Sequence, residues 1–314
     1  MAGLKTISRS ITAGLFMQLK ARADSIYNGS EKEGKVIMKY HIEKNSVQET
    51  LVIPLYGRKL CTELFPNLFR DMKAMELIDR LDYDFSELEK RSKSSAHRFG
   101  ALEVAMRETD LMCELKDYLE KHPKATLVNL GCGLDQTCEN ADNGQCRIVN
   151  IDMPDVIAAR NELLPESERI RNIAGDLNDT SWFDEIDDSD GVCFMAAGVF
   201  YYFKKDEIRR LFTAMEQRFR GGRLAFDTAS ERAVRIMLKT WVKEAGITSI
   251  KDYFSVSSAK TELSYLTNTD ISSRGYMLGY NDLKDPSVPG MFRLLAKLGD
   301  GFMKMQIVRL DFGM

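Results

Sequence analysis

The spacing of hydrophobic positions changes character near residue 120. Before that point apolar residues recur every three or four positions, the mark of helices with one buried stripe. Ile7, Ile11, Leu15 and Leu19 stand four apart and predict an amphipathic helix near the start. Leu68 to Leu81 reads as a further helix, opening just after Pro66. Ala101 to Leu119 reads as another, with Leu102, Ala105, Leu111, Leu115 and Leu119 on its buried side. Pro123 closes it, because proline lacks an N–H and disfavours helix in the residue before it.

From residue 125 short apolar runs alternate with amphipathic stretches. ATLVNL ends in a glycine turn, and RIVNID (147–152) leads into a helical stretch from Pro154 to Leu164. RNIAGDL (171–177) is a weaker run. GVCFMAAG (191–198) is the strongest and precedes a helix from Lys205 to Arg218, and GGRLAFDT (221–228) is the fifth. Continuous apolar runs of this length, rather than alternating ones, suit strands buried on both faces. Their alternation with helices predicts an α/β fold, with a mostly parallel sheet wound on both faces and ligands bound at the carboxyl ends of its strands. FMKMQIVRLDF (302–312), after a turn at Gly299-Asp300-Gly301, reads as the last strand. Its lysine and arginine predict a partly exposed antiparallel edge. The irregular stretch from about 246 to 290 reads as helix plus lid. The chain thus divides into an N-terminal helical cap on the substrate side, residues 1–95, and a ligand-binding core, residues 96–314.

Composition narrows the function classes. The 314 residues carry a net charge of −3 and no basic block, which makes nucleic acid a poor partner. The longest uncharged apolar run, residues 191–203, is too short to span a bilayer. Lys5 and Arg9 before ITAGLFMQL loosely imitate a signal peptide, but Gln18 interrupts the apolar part and Lys20 and Arg22 stand where cleavage would fall. None of the six cysteines forms a CxxC pair; Cys193 lies in an expected core strand and Cys132 between two glycines. That usage points to a reducing cytoplasm. His41, His97 and His122 show no zinc spacing, so no metal is expected.

The stretch VNLGCGLDQT (128–137) carries the chemistry. Gly131 and Gly133 follow the first strand and let the backbone approach a ligand closely. A dinucleotide fingerprint would place a third glycine at 136, where this chain has Gln136. The pair alone is equally a tight strand-to-helix turn. Asp152, ending the second strand, is an acceptor-only carboxylate suited to both hydroxyls of a ribose; its plainer role is to cap the helix after Pro154. Asp176, after the third strand, suits an adenine amino group, and equally a turn residue in Asp-Leu-Asn-Asp. Met153 suits the face of an adenine or plain core filling. Arg107, on the long helix before the loop, suits a carboxylate if it points inward.

In order along the chain, ETLVIPLYGRK (49–59), DYDF (82–85), LVNLGCGLDQT (127–137), NIDMPDVIAARNELLP (150–165), GDLND (175–179), AGVFYYF (197–203) and SRGYMLGYNDL (273–283) resemble the leucine carboxyl methyltransferase family. Within it they resemble most the tetracenomycin-type polyketide O-methyltransferases. The resemblance covers nearly all of the chain after about residue 45. It implies a class I, Rossmann-like methyltransferase with a seven-stranded sheet whose last strand is antiparallel, binding S-adenosyl-L-methionine. It implies Arg107 at the methionine carboxylate and the loop Gly131-Cys132-Gly133 beneath the methionine. Asp152 with Met153 would then sit at the ribose, and Asp176 with Leu177 at the adenine. The family often has a glutamate where this chain has Ala197, so the amino end must be held by backbone carbonyls or another residue. Asn129 likewise stands where many methyltransferases have an acid.

A hydroxyl acceptor benefits from a general base, whereas a carboxylate is already ionised. No base stands out; His97 precedes the Arg107 helix but reads better as an exposed histidine. That absence, with the family's carboxylate acceptors, points to carboxyl methylation of a small molecule. Arg58 and Arg274 are candidate partners for an acceptor carboxylate, and Tyr201 and Tyr202 candidate pocket residues, as are Tyr56, Tyr276 and Tyr280. The competing expectations are a protein C-terminal carboxyl methyltransferase, a nicotinamide-dependent oxidoreductase and a catalytically silent ligand-binding relative. The oxidoreductase is disfavoured by Gln136 and by the late glycine loop.

Overall fold

The computed structural model describes residues 31–32, 35–36, 39–42, 48–237, 254–280 and 283–313. The amphipathic stretch Ile7–Leu19 lies outside them. Seven strands form one sheet: β1 Thr126–Leu130, β2 Arg147–Asp152, β3 Ile170–Ala174, β4 Val192–Ala196, β5 Arg223–Thr228, β6 Thr269–Gly275 and β7 Gln306–Phe312. Their order is β6-β7-β5-β4-β1-β2-β3. All run parallel except β7, which is antiparallel to both its neighbours. This is the class I methyltransferase fold.

The central strands β1 and β4 are buried at every position because both faces are covered. In β1, Leu127 packs into one core and Val128 and Leu130 into the other. β4 divides in the same way, Cys193 and Met195 against Phe194 and Ala196. One face is covered by α1 (Glu49–Leu64), α2 (Met72–Arg80), α4 (Ser95–Lys121) and α6 (Pro154–Leu163); the other takes Ile208, Leu211, Phe212 and Met215 of α7 (Lys205–Arg218). Between α2 and α4 lies the short α3 (Ser86–Arg91), and α5 (Thr137–Ala141) follows the glycine loop. All five apolar positions expected on the buried side of the 101–119 helix are buried on α4. That helix starts earlier than the apolar pattern suggested, because Ser94 caps it by accepting the His97 N–H.

Four expectations need correction. The last strand is no edge. It is the second strand in, and β6 takes the edge, so part of the stretch read as helix plus lid belongs to the sheet. The charged residues of β7 misled because Arg309 reaches neighbouring carboxylates rather than open solvent: Glu114, Asp117 and Asp311. The glycines at 299 and 301 do not make a turn but end a helix, Gly290–Gly301, whose Asp300 accepts the backbone N–H groups of Met277 and Leu278. The 68–81 helix begins only at Met72, where Asp71 caps it by accepting from the Ala74 N–H.

Candidate cofactor and acceptor site

The loops after β1, β2, β3 and β4 converge at the carboxyl edge of the sheet, where parallel strands open a crevice. With α1 and α4 they enclose a cavity of about 340 Å³. That falls within the usual span of small-ligand pockets. Gly131, Cys132, Gly133, Asp152, Met153, Asp176, Leu177, Ala197, Arg107, Arg58 and Tyr202 all line it. Residues spread over nearly 150 positions of sequence therefore share one concavity.

The glycine loop is held open by its backbone. Gly131 has φ +64° and Gly133 φ +47°, in the left-handed region that side chains resist. A Cβ on Gly131 would lie 2.6 Å from a methyl of Val199, so the loop and the turn after β4 close on each other there. Asp152 ties β2 to this loop: its Oδ2 accepts the Gly133 N–H at 2.7 Å and its Oδ1 the Met153 N–H at 2.8 Å. Burial raises the Asp152 carboxyl, and the two backbone donors pull it back down. Each oxygen keeps a lone pair for a hydroxyl in the cavity. Met153 is 44% exposed at the rim. Asp176 is exposed there too, and its Oδ1 accepts the Asn178 N–H, so it makes the Asp-Leu-Asn-Asp turn and faces the cavity at once. Leu177 packs beneath it in the core.

Beneath the loop lies a charge that the sequence reading passed over. Arg160 of α6 is fully buried. Its Nη1 donates to the carbonyls of Gly133 (2.9 Å) and Asp135 (2.7 Å), its Nη2 to Glu139 and its Nε to Asn172. The clue was its phase: Val156, Arg160 and Leu163 fall on the same buried stripe. Asp227 was missed likewise, a carboxylate inside the fully buried strand RLAFDT.

The two arginines on the helical side differ. Arg107 of α4 pairs with Asp227 (3.2 Å); burial works against its charge, but the Asp227 carboxylate and its neighbours outweigh that and raise the guanidinium. Arg58 of α1 also lines the cavity but is committed elsewhere. It lies within 3.3–3.6 Å of Asp71, Glu108 and Asp135 and donates to the Leu134 carbonyl. Three carboxylates round one cation leave excess negative charge. Burial pushes the Glu108 carboxyl up to about 8, against the pull of Arg58. Asp135 also accepts from Asn129, which accounts for the asparagine on β1.

Arg274 does not reach the cavity. It stands on edge strand β6, paired with Asp110 and Glu114 of α4 and stacked against Tyr280. Tyr201 is buried behind the cavity wall with its hydroxyl on Asp227, whereas Tyr202 is 42% exposed and faces the cavity. Tyr56 and Tyr276 are buried in the core, Tyr276 donating to Glu103. His97 sits in the first turn of α4 beside Ser94 and is not among the lining residues. All six cysteines are unpaired thiols, and no His/Cys/Asp/Glu group suited to a metal occurs among the described residues. No helix among them is long and apolar enough to cross a membrane.

Comparison with known proteins points the same way. The leucine carboxyl methyltransferase family profile matches residues 56–216, just over half of the chain. The tetracenomycin polyketide synthesis O-methyltransferase TcmP of Streptomyces glaucescens is 27% identical over 187 residues, covering 59% of this chain and 67% of that protein. Among solved structures, a Thermobifida fusca protein described as a methyltransferase superposes with a TM-score of 0.51 at 14% identity, covering 68% of this chain and 82% of its own. An O-methyltransferase family protein of Burkholderia thailandensis gives 0.44 at 13% identity, over 83% and 72%.

Proposed function

The chain belongs to the leucine carboxyl methyltransferase family and is an S-adenosylmethionine-dependent methyltransferase, and from that premise we propose that it methylates an oxygen of a small, polyketide-like acceptor, a carboxylate before a hydroxyl. In this reading the cavity is the cofactor site. Arg107 takes the methionine carboxylate, the loop Gly131-Cys132-Gly133 runs beneath the methionine, and Asp152 with Met153 holds the ribose. Asp176 and Leu177 border the adenine, and the backbone at Ala197 meets the amino end. The residues suit this ligand: left-handed glycines open the floor, a carboxylate with spare lone pairs ends β2, and the Arg107 cation lines the same cavity. The helical segment before residue 95, whose α1 supplies Thr50, Leu51, Pro54 and Leu55 to the lining, would form the acceptor side.

When bound, the cofactor would supply a sulfonium methyl group to an acceptor oxygen, the C–S bond breaking as the O–C bond forms and neutral S-adenosylhomocysteine leaving. The chain's own contribution is then to align the acceptor and exclude water. One observation favours a carboxylate acceptor: among the described residues, the cavity lining contains neither histidine nor lysine. Its carboxylates each have protein partners: Glu108 and Asp135 lie against Arg58, Asp152 accepts two backbone N–H groups and Asp176 accepts the Asn178 N–H. Tyr202 is a phenol, neutral at pH 7. An acceptor that arrives ionised needs no base from this set. The name of the Streptomyces relative supports a polyketide-like skeleton.

Calorimetry tests the cofactor site: S-adenosylhomocysteine should bind and NAD should not, and no heat with the former would sink the reading. Turnover of methyl-labelled cofactor against panels of aromatic acids and phenols tests the acceptor. Methyl esters release methanol in mild alkali and methyl ethers do not, so alkali-stable product would refute carboxyl methylation.

A further inference from the structure

Arg107 faces the cavity from α4, where Glu103 one turn earlier acts on it electrostatically, but its hydrogen-bond partner comes from another element. The partner is Asp227, 120 residues later at the end of β5. Its side chain is 1% exposed and accepts three donors. Oδ2 takes Arg107 Nη1 at 3.2 Å and the Tyr201 hydroxyl at 3.1 Å, and Oδ1 takes the Gly198 N–H at 2.6 Å. Gly198 has φ +72°, and a Cβ there would lie 2.9 Å from Arg107 Nη1. The guanidinium is therefore wedged between the β4 turn and a buried carboxylate. Only one of its five N–H groups is used by Asp227, which leaves others for the cavity.

The same carboxylate also orients a peptide. No peptide bond among the described residues is cis. In a trans peptide the carbonyl points opposite to the N–H. With the Gly198 N–H drawn onto Asp227, the Ala197 carbonyl points away from that carboxylate, and Ala197 lines the cavity. A cationic donor at one end of the cavity and a carbonyl acceptor beside it are complementary to the carboxylate and ammonium of an amino acid.

We propose that Asp227 is the positioning residue for the amino-acid end of the cofactor: it aims Arg107 at the carboxylate and presents the Ala197 carbonyl to the ammonium. This inference rests on the reading of the cavity as the cofactor site. It makes a buried carboxylate from the neighbouring strand responsible for an end of the ligand that it never touches.

The test is calorimetry on the full chain with two ligands, S-adenosylhomocysteine and 5′-methylthioadenosine, which lacks the amino-acid end. Asp227→Asn keeps the shape and removes the charge. It should weaken S-adenosylhomocysteine roughly tenfold or more, the scale of one charge-assisted contact, and leave 5′-methylthioadenosine unchanged. Tyr201→Phe removes one of the three donors that fix the Asp227 carboxylate and should weaken only the first ligand, by about two- to fivefold, within the range of a neutral hydrogen bond. Equal losses for both ligands would reduce Asp227 to a structural residue, and unchanged binding of both would overturn the inference outright. If Asp227→Asn does not fold, Tyr201→Phe decides by the same difference between ligands. Wild type that binds neither ligand overturns the cofactor-site reading and this inference with it; wild type that binds both, beside unaffected variants, overturns this inference alone.

Discussion

The two walls of the cavity use charge in opposite ways. On the sheet side, polar groups come from strand ends and keep capacity for a ligand: Asp152 is braced by two backbone N–H groups and still has free lone pairs. On the helical side, charges mostly neutralise one another: Arg58 is surrounded by Asp71, Glu108 and Asp135. Off the cavity, Arg274 of edge strand β6 is paired in the same way with Asp110 and Glu114. Arg107 is the exception among the three arginines considered, held by a carboxylate on one side and open to the cavity on the other. The difference teaches that an ionisable residue in a pocket wall is informative about ligand chemistry only to the extent that the protein has not already satisfied it.

Four substitutions would break or sharpen this contrast. The largest effect is expected at Gly131→Ala, which must place a Cβ 2.6 Å from Val199 in a left-handed conformation that costs about 1–2 kcal/mol by itself. Calorimetry should then detect no S-adenosylhomocysteine binding, and wild-type affinity would show that the loop is not the floor of the site. Next is Asp152→Ala. Two hydrogen bonds to an ionised group at about 1.5 kcal/mol each correspond to roughly a hundredfold loss of affinity. An unchanged dissociation constant would refute the ribose assignment.

Smaller, and of opposite sense, is the effect of Glu108→Gln. The folded state holds the Glu108 proton up to about 8, whereas the unfolded chain releases it near the ordinary 4.5. Between those values the folded state binds more protons, so this group's contribution to stability falls as pH rises. The variant cannot titrate there, so its melting temperature relative to wild type should rise from pH 5 to pH 8. A difference that does not change with pH would mean that Glu108 is ionised throughout. The smallest effect belongs to Arg274→Ala, which lies off the cavity. It should change affinity for S-adenosylhomocysteine and the Michaelis constant for the acceptor by less than about twofold, because its partners Asp110 and Glu114 are not among the residues that line the cavity. A tenfold rise in the acceptor constant would bring edge strand β6 into the acceptor site.

Much of this was legible in the chain itself. The first five strands and the helix Lys205–Arg218 fall where the apolar runs place them, because a strand covered on both faces must be apolar throughout. The glycine loop, Asp152 and Asp176 stand in the cavity because strand-end loops of a parallel sheet have nowhere else to converge. Edge strand β6 was illegible, since Thr269–Gly275 is largely polar and its pairing with β7 is a long-range choice. Arg160 and Asp227 were visible only as charges out of place in buried stripes.

By itself the sequence determined the first five strands, the glycine loop and the carboxylates that follow β2 and β3. Each rests on residues close together in the chain, where hydrophobic period and backbone preference act locally. Only the tertiary structure decided where the ends of the long charged side chains go. Arg58, Arg107 and Arg274 are the same residue type on neighbouring elements, and their different environments come from carboxylates that folding brings beside them, as distant as Asp227. Electrostatic pairing acts through space over a few ångströms, and no spacing along the chain encodes it.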